Sequence, residues 1–371
     1  VNDGSIDPFS LVQANLEDAR SAGATVLNHC SVTGMTVEGG RVSRVEVRDR
    51  RGVLSSAIVP EVVVNAAGSW VSVVAEMAGC HIPMGLDQGS MLVMDGRQCS
   101  QVINRMRPPS NGDIAVPNHT STILGTTSRP AGSPEDTTVA IEDIELLVRE
   151  TSAMLPSLRN CRAIRTYGGV RPLLGGGGRE ASRSFAILTD EGAENLLSVA
   201  GGKLTTYRLM AEKVADRVCG MLGTGPRCRT HLEPLGPSAD GKGSSIPQAR
   251  LRRKYGRMAS SIDTSDARVI CSCEQVLRSE VKAVLKAGDA LTLADVMRRT
   301  RAGMGYCQGF DCSLSVLEVM LEERSVDPLP LLMEFLEERE RGFSQAGGDQ
   351  LRQGLLRQQV LKGVYGLEGK E

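Results

Sequence analysis

Residues 62–79 read VVVNAAGSWVSVVAEMAG. The stretch opens as an unbroken apolar run of strand length, the pattern of a strand covered on both faces rather than of one half-exposed to water. It passes through Gly68 directly into a short helical pattern. Strand, tight turn and helix in immediate succession form the element that nucleotide-binding folds use at the carboxyl ends of their strands. An α/β fold is therefore expected.

On the N-terminal side, residues 7–22 read as a helix: Asp7 can cap it, Pro8 suits the first turn, and Phe9, Val12, Leu16 and Ala19 recur at helical spacing before Gly23. Strand material follows as ATVLNH (24–29), GMTVE (34–38) and, after a turn at Gly39-Gly40, RVSRVEVRD (41–49) with Val45 and Val47 on one face. On the C-terminal side, residues from about 84 to 200 read as an α+β region of strands and loops around one helix at 139–155. The sequence GGK at 201–203 then opens a helix with Tyr207, Met210, Val214, Val218 and Met221 on one stripe. A Gly/Pro/Ser-rich stretch begins at 223. These shifts divide the chain into a domain over 1–222, a linker over 223–267, a compact helical unit over 268–325 and a charged helical tail over 326–371. In the tail, Leu329, Leu332, Met333, Phe335 and Leu336 form an apolar face that either docks on a partner or packs on its own domain.

With 43 basic and 44 acidic residues and 3% aromatics, the chain carries no footprint for nucleic acid or anionic lipid. No apolar run is long enough to span a membrane. The opening VNDGSIDPF has neither an initiator Met nor a basic-then-apolar leader, so no signal peptide is expected there.

Of ten cysteines, Cys30, Cys80, Cys99, Cys161, Cys219 and Cys228 are scattered singly and read as reduced, partly buried small hydrophobes. The other four fall in two pairs, in CSCEQV (271–276) and GYCQGFDC (305–312). A disulfide within Cys271-x-Cys273 is disfavoured, because residues two apart in an extended chain have Cα atoms ~7 Å apart. Cys273 and Cys312 both immediately precede helical sequence, and helix starts offer free N–H groups and positive partial charge to bound thiolates. Glycines at 303, 305 and 309 allow backbone to approach the sulfurs. On spacing alone, an iron–sulfur cluster and a Cys₄ zinc site both remain open.

Upstream, GGVRPLLGGGG (168–178) places Arg171 beside glycines and a proline, ASRSFAIL (181–188) places Arg183 at a strand mouth, and SVAGGKLTTYRLMAEKVAD (198–216) places a Gly-Gly-Lys turn at a helix start. Such cations and helix-start amides could clamp a phosphate or carboxylate. Singly, each arginine reads more often as a surface ion pair, and it is their joint occurrence within 40 residues that supports a clamp.

The pattern C-x-C, 33 intervening residues, then RRTRAGMGYCQGFDC resembles the bacterioferritin-associated-ferredoxin type of [2Fe–2S] domain, with Cys271, Cys273, Cys307 and Cys312 in the ligand positions. DGSIDPFSLVQANLEDARSAGA, VVVNAAGSWV, ILGTTSRPAGSPED, YGGVRPL and AGGKLTTYRLMAEKVAD together resemble FAD-dependent glycerol-3-phosphate dehydrogenases, in particular the large subunits of the anaerobic, quinone-linked three-subunit type. The resemblance implies a partial D-amino-acid-oxidase-like FAD-dependent oxidoreductase fold joined to a small helical [2Fe–2S] domain. It places Asn65, Ala66, Ala67 and Gly68 against FAD, with Gly169, Gly201, Gly202, Lys203, Leu204 and Thr205 beside the isoalloxazine. Arg171 and Arg183 would hold the substrate phosphate, with Lys203 near flavin and substrate. The implied reaction is oxidation of sn-glycerol 3-phosphate to dihydroxyacetone phosphate. Electrons would leave through the cluster toward partner subunits and a quinone. The implied location is cytoplasmic, at the inner face of the membrane through those partners.

Two departures stand out. The strand–Gly-x-Gly-x-x-Gly–helix that binds the ADP half of such cofactors does not occur, so the sequence is expected to be N-terminally incomplete and to hold FAD weakly by itself. Gln88 stands in DQGSMLVM where the family usually has Lys or Arg, leaving one anion contact absent or replaced. The four histidines read as structural or exposed, and no general base is assigned. Alternative readings are an amino-acid or 2-hydroxy-acid dehydrogenase of the same fold, and a non-catalytic zinc interaction module, which would be colourless.

Overall fold

The computed structural model describes residues 4–50, 55–175, 184–225, 228–235 and 246–343, with four further positions between 354 and 360. Asp7 caps α1 (Pro8–Ser21), its Oδ1 accepting from the N–H groups of Phe9 and Ser10. A meander follows: β1 (Cys30–Glu38), β2 (Arg41–Asp49) and β3 (Ser55–Ile58), with Val42, Val45 and Val47 buried. Residues 24–29 stay outside that sheet, contrary to their strand-like sequence. His29 ends the segment in a left-handed conformation, φ 58°, with its ring 2.8 Å from Asp295, so the stretch serves a long-range contact instead of a ladder.

The strand of the opening motif is β4 (Val63–Asn65), and the helix after it is α2 (Val71–Glu76). The middle of the chain supplies β5 (Met84–Met94), β6 (Ile103–Asn104), β7 (Ile114–Asn118), β8 (Ser121–Gly125), β9 (Arg129–Pro130), α3 (Ile141–Ser152) and β10 (Ala163–Leu174). Then come β11 (Phe185–Asp190), β12 (Ala193–Gly201) and α4 (Tyr207–Met221). β12 pairs antiparallel with β11 and parallel with β4. Among the described residues β4 has no second neighbour, and Val64 is 42% exposed; the expected cover on both faces is present on one only, where Val63 meets the core of Ala75, Leu196 and Val42.

The six-stranded sheet runs β10-β5-β8-β7-β6, with β9 against β5. Its register sorts side chains into two faces. Asp87, Gly89, Met91 and Val93 oppose Arg171, Gly169, Tyr167 and Arg165 on the front. On the back, Leu92, Met94 and Leu124 pack against Ile144 and Leu147 of α3.

The remainder is helical: α5 (Ile246–Tyr255), a small hairpin of β13 (Val269–Cys271) and β14 (Val276–Leu277), α6 (Arg278–Lys286), α7 (Leu293–Thr300), α8 (Ser313–Glu323) and α9 (Pro328–Phe343). One core joins these helices, and it includes Leu251, Tyr255 and Ile262 from the stretch that reads as linker. It also takes Leu332, Phe335 and Leu336 from the tail, so the apolar face of α9 is spent on its own unit and is not a free docking surface. Residues 344–353, where the tail continues, lie outside the described residues.

Phe335 is 1% exposed, and its ring stands 2.8 Å from where a Cβ on Gly309 would fall. Phe335→Ala is therefore expected to cost the helical unit about 3–5 kcal/mol, measured by chemical denaturation. A cost below about 1 kcal/mol would mean that α9 is only loosely attached.

Candidate functional site

Two turns and one strand converge at the carboxyl end of β4. Asn65 is buried and its side chain is committed to the turn: Nδ2 donates to the Val71 carbonyl at 2.8 Å and to Ser198 Oγ at 3.2 Å, while Oδ1 accepts from Ala67 N–H at 3.3 Å. Its contribution to a ligand is thus the shape of the Ala66-Ala67-Gly68 backbone, with Gly68 at φ 58°. Ser69 Oγ then donates to the Val170 carbonyl at 2.5 Å, tying this turn to β10.

The second turn follows β12. Gly201 and Gly202 have φ of 76° and 84°, and a Cβ on Gly202 would run into the Met210 side chain. Gly202 N–H donates to the Ser184 carbonyl at 2.9 Å, and Thr206 Oγ1 donates to the Lys203 carbonyl at 2.9 Å. Lys203, Leu204 and Thr205 are exposed. A mostly apolar cavity of about 670 Å³ opens here, lined by Ala66, Gly201, Gly202, Lys203 and Leu204 together with the Tyr207–Met210–Val214–Val218 stripe of α4. Five of the residues expected against the flavin thus share one cavity. Gly169 lies on β10 with nothing within 4 Å of its Cβ direction. Gly68 and Gly169 have open space where a side chain would stand, and Ala66, Gly201 and Gly202 border the apolar wall of the cavity, a set that fits a planar ring such as the isoalloxazine of FAD.

Arg171 lies on the front face in an ion pair with Asp87, and its Nη2 donates to Thr126 Oγ1 at 2.7 Å and to the Thr127 carbonyl at 3.1 Å. Asp87 is 2% exposed and also accepts from Ser128 Oγ at 2.6 Å. Gly89 has no side chain because the guanidinium occupies that space. Gln88 faces the other way. Its Nε2 donates to Ser90 Oγ at 3.2 Å and the Thr138 carbonyl at 3.1 Å, and its Oε1 accepts from Arg129, which also pairs with Asp143 of α3 at 3.2 Å. The departure at Gln88 therefore lies on the back of the sheet, away from Arg171. Arg183 lies outside the described residues.

The four paired cysteines come together as two couples. Cys273 and Cys307 have their sulfurs 3.6 Å apart, and the buried thiols of Cys271 and Cys312 are hydrogen-bonded to each other. Thiolates sharing one tetrahedral metal at ~2.3 Å stand ~3.7 Å apart. Each couple offers two sulfurs side by side, the number that each iron of a two-iron centre takes from the protein. Cys271 is pulled down to about 6 by the Cys312 thiol, aided by the N–H groups of Gly303 and Glu274, against its burial. Cys312 is pushed up by the same bond and by burial, while burial pushes Cys273 up to about 11. A Cβ on Gly305 would collide with that of Cys273, so the loop packs directly on the sulfur-bearing chain.

The residue that holds this unit on the sheet was not visible in the sequence. Arg301 ends α7 in a left-handed conformation, φ 67°, and is 5% exposed. Its Nη1 donates to Asp7 Oδ2 at 2.7 Å, its Nε to Glu274 Oε2 at 3.0 Å and its Nη2 to Asn118 Oδ1 at 3.2 Å. Thr120 Oγ1 donates to the other Glu274 oxygen at 2.6 Å. On the same front face, Arg165 pairs with Glu338 of α9 at 2.9 Å.

Comparison with known proteins matches two families. A family model described as FAD dependent oxidoreductase matches residues 1–217, and one described as BFD-like [2Fe-2S] binding domain matches residues 269–322. The A subunit of the anaerobic glycerol-3-phosphate dehydrogenase of Escherichia coli (strain K12) is 36% identical over 403 residues, covering 100% of this chain and 73% of that protein. Its counterpart in Haemophilus influenzae is 35% identical, covering 99% and 70%. The A1 subunit of the Haloferax volcanii enzyme is 36% identical, covering 84% of this chain and 58% of that protein. Among solved structures, the glycerol-3-phosphate dehydrogenase from Bacillus halodurans complexed with FAD shares the fold, with a TM-score of 0.65 at 23% identity over 95% of this chain and 72% of that one.

Two outcomes are expected. Prepared anaerobically with iron and sulfide, the chain should be brown with about two irons and two sulfides, and Cys271→Ser or Cys307→Ser should bleach it; stoichiometric zinc without visible absorption would contradict the two-couple geometry. Arg301→Ala strands Asp7 and Glu274, and should destabilise the helical unit's attachment by about 3–5 kcal/mol, read by hydrogen exchange at α1 and at β7–β8.

Proposed function

Because the chain belongs to the FAD-dependent oxidoreductase family, and within it to the large subunits of anaerobic glycerol-3-phosphate dehydrogenases, we propose that it oxidises sn-glycerol 3-phosphate to dihydroxyacetone phosphate and sends the electrons out through its helical unit. The observation that carries this reading is the shared front face of the six-stranded sheet. Arg171 and Gly169 sit toward one end of β10, and the cysteine-bearing unit docks at Arg165 toward the other.

When bound, FAD supplies a hydride acceptor and the [2Fe–2S] centre a one-electron relay. The chain's own part is positioning. Ala66 and the Gly201-Gly202-Lys203 turn line the cavity that α4 closes on its apolar side, and Gly68 and Gly169 leave open space beside their backbones where a flat ring would lie. Asp87, Thr126 and Thr127 hold Arg171 in one orientation, so its charge is in place before the substrate phosphate arrives. Because Asp87 neutralises part of that charge, phosphate binding draws also on Arg183 and Lys203. The cysteine couples would hold the two-iron centre that relays electrons singly toward partner subunits and a quinone, and Gly303, Gly305 and Gly309 let the loop backbone close over it. No described helix is long and apolar enough to cross a membrane, and membrane attachment is assigned to the partners.

The test uses the enzyme assembled with FAD and its partner subunits. Arg171→Ala should cost roughly 2–4 kcal/mol in kcat/KM for glycerol 3-phosphate and much less for glycerol, which has no phosphate to lose. Equal losses on both would make Arg171 a structural ion pair of Asp87 and remove it from substrate binding.

A further inference from the structure

Arg339 on α9 is a buried cation without a counter-charge of its own. It is 3% exposed, and its guanidinium lies over the Phe335 ring at 5.0 Å. One terminal nitrogen donates to the Gly303 carbonyl at 3.3 Å and lies 3.7 Å from the Met297 sulfur. Its Nε and Nη1 are buried with no hydrogen-bond partner among the described residues. The carboxylate that acts on it, Glu338, is already shared by Arg165 at 2.9 Å and Arg298 at 3.6 Å. Three guanidiniums thus surround one carboxylate. A buried guanidinium in this state is several kcal/mol unfavourable unless another negative charge lies near. Burial, followed by the Arg165 charge, pulls its pKa down to about 9, and the opposing influences are Glu338 and Cys312.

The cysteines bring negative charge to this side of the molecule, and Cys312 acts on Arg339. Gly303, whose carbonyl Arg339 holds, donates its own N–H to Cys271. Gly309, between Cys307 and Cys312, packs on Phe335. We propose that Arg339 is the built-in counter-charge of the cysteine-bound cluster, a positioning residue that favours the reduced centre and so raises its reduction potential. The inference rests on the reading that the four cysteines hold a [2Fe–2S] centre. Reduction by one electron, delivered from the flavin side, adds one negative charge and moves no proton. A fixed guanidinium therefore stabilises the reduced form more than the oxidised one.

The experiment compares the full chain with Arg339→Gln and Arg339→Lys, all loaded anaerobically. Iron and sulfide are assayed, and reduction is titrated by visible absorption and electron paramagnetic resonance. At a fixed ambient potential, Arg339→Gln should lose about tenfold in the ratio of reduced to oxidised centre, ~59 mV for a one-electron couple. Arg339→Lys should stay within about threefold of the parent, since the charge remains. Loading should also raise the melting temperature of the parent more than that of Arg339→Gln. An unchanged potential in iron-replete Arg339→Gln overturns the proposal, as does an equal fall in Arg339→Lys. Should Arg339→Gln fail to take up iron, Arg339→Lys decides: a parental potential supports the proposal and a tenfold loss overturns it. A parent chain that binds zinc instead of iron would overturn the cluster reading itself, and this inference with it.

Discussion

Four parts of the chain meet on the guanidinium of Arg301: the start of α1 through Asp7, the β7–β8 hairpin through Asn118, the cysteine segment through Glu274, and α7, which the residue itself terminates. Each bond is charge-assisted, and Arg301 itself is buried. Asp7 is used twice, one oxygen capping α1 and the other taking Arg301, so the entry of the first helix and the attachment of the last domain are a single electrostatic event. Glu274 follows Cys273 directly. Whatever fixes Glu274 therefore fixes the sulfur beside it.

The same economy holds around the sulfurs. The loop after Arg301 can approach them only because Gly303, Gly305 and Gly309 lack side chains, and the space they leave is filled from behind by Met297, Phe335 and Cys273. Packing and electrostatics act together here. α9 supplies an aromatic ring against the loop, and from the next turn a cation that the ring shields on one face.

What was legible in the sequence was local. The Asp7-Pro8 helix start, the Gly39-Gly40 hairpin, the strand-to-helix turn at Gly68 and the cysteine spacing all declare themselves within a few residues, because capping, turn conformation and ligand bite are short-range properties. Long-range placement was not legible. Asp7 and Arg301 are far apart in sequence; Asp7 shows only its capping role, and Arg301 reads as a surface charge. The stripe Leu251–Tyr255 is too short to register against Gly/Pro/Ser-rich surroundings, so the start of the helical core reads as linker. The apolar face of α9 looks the same whether it meets a partner or its own domain; the core shared with α8 decides that. Gln88 shows the limit most clearly. Its polarity is plain from the sequence, but which side of the sheet it serves is a matter of register, and the register places it opposite Val170, with its side chain on the face away from Arg171.

β10 bears on how this protein tolerates change in length. The strand rests against α9 at Arg165 and reaches the Asp87 pair at Arg171. At about 3.4 Å per residue, the six steps between them span roughly 20 Å. Loops absorb insertions, but a single residue added between Arg165 and Gly169 would turn Arg171 to the α3 side and Gly169 with it, while leaving the attachment of the helical unit in place. The strand thus acts as a gauge block: the spacing between the Arg171–Asp87 pair and the docked helical unit is machined into the backbone, and side-chain substitutions can tune either end without altering it.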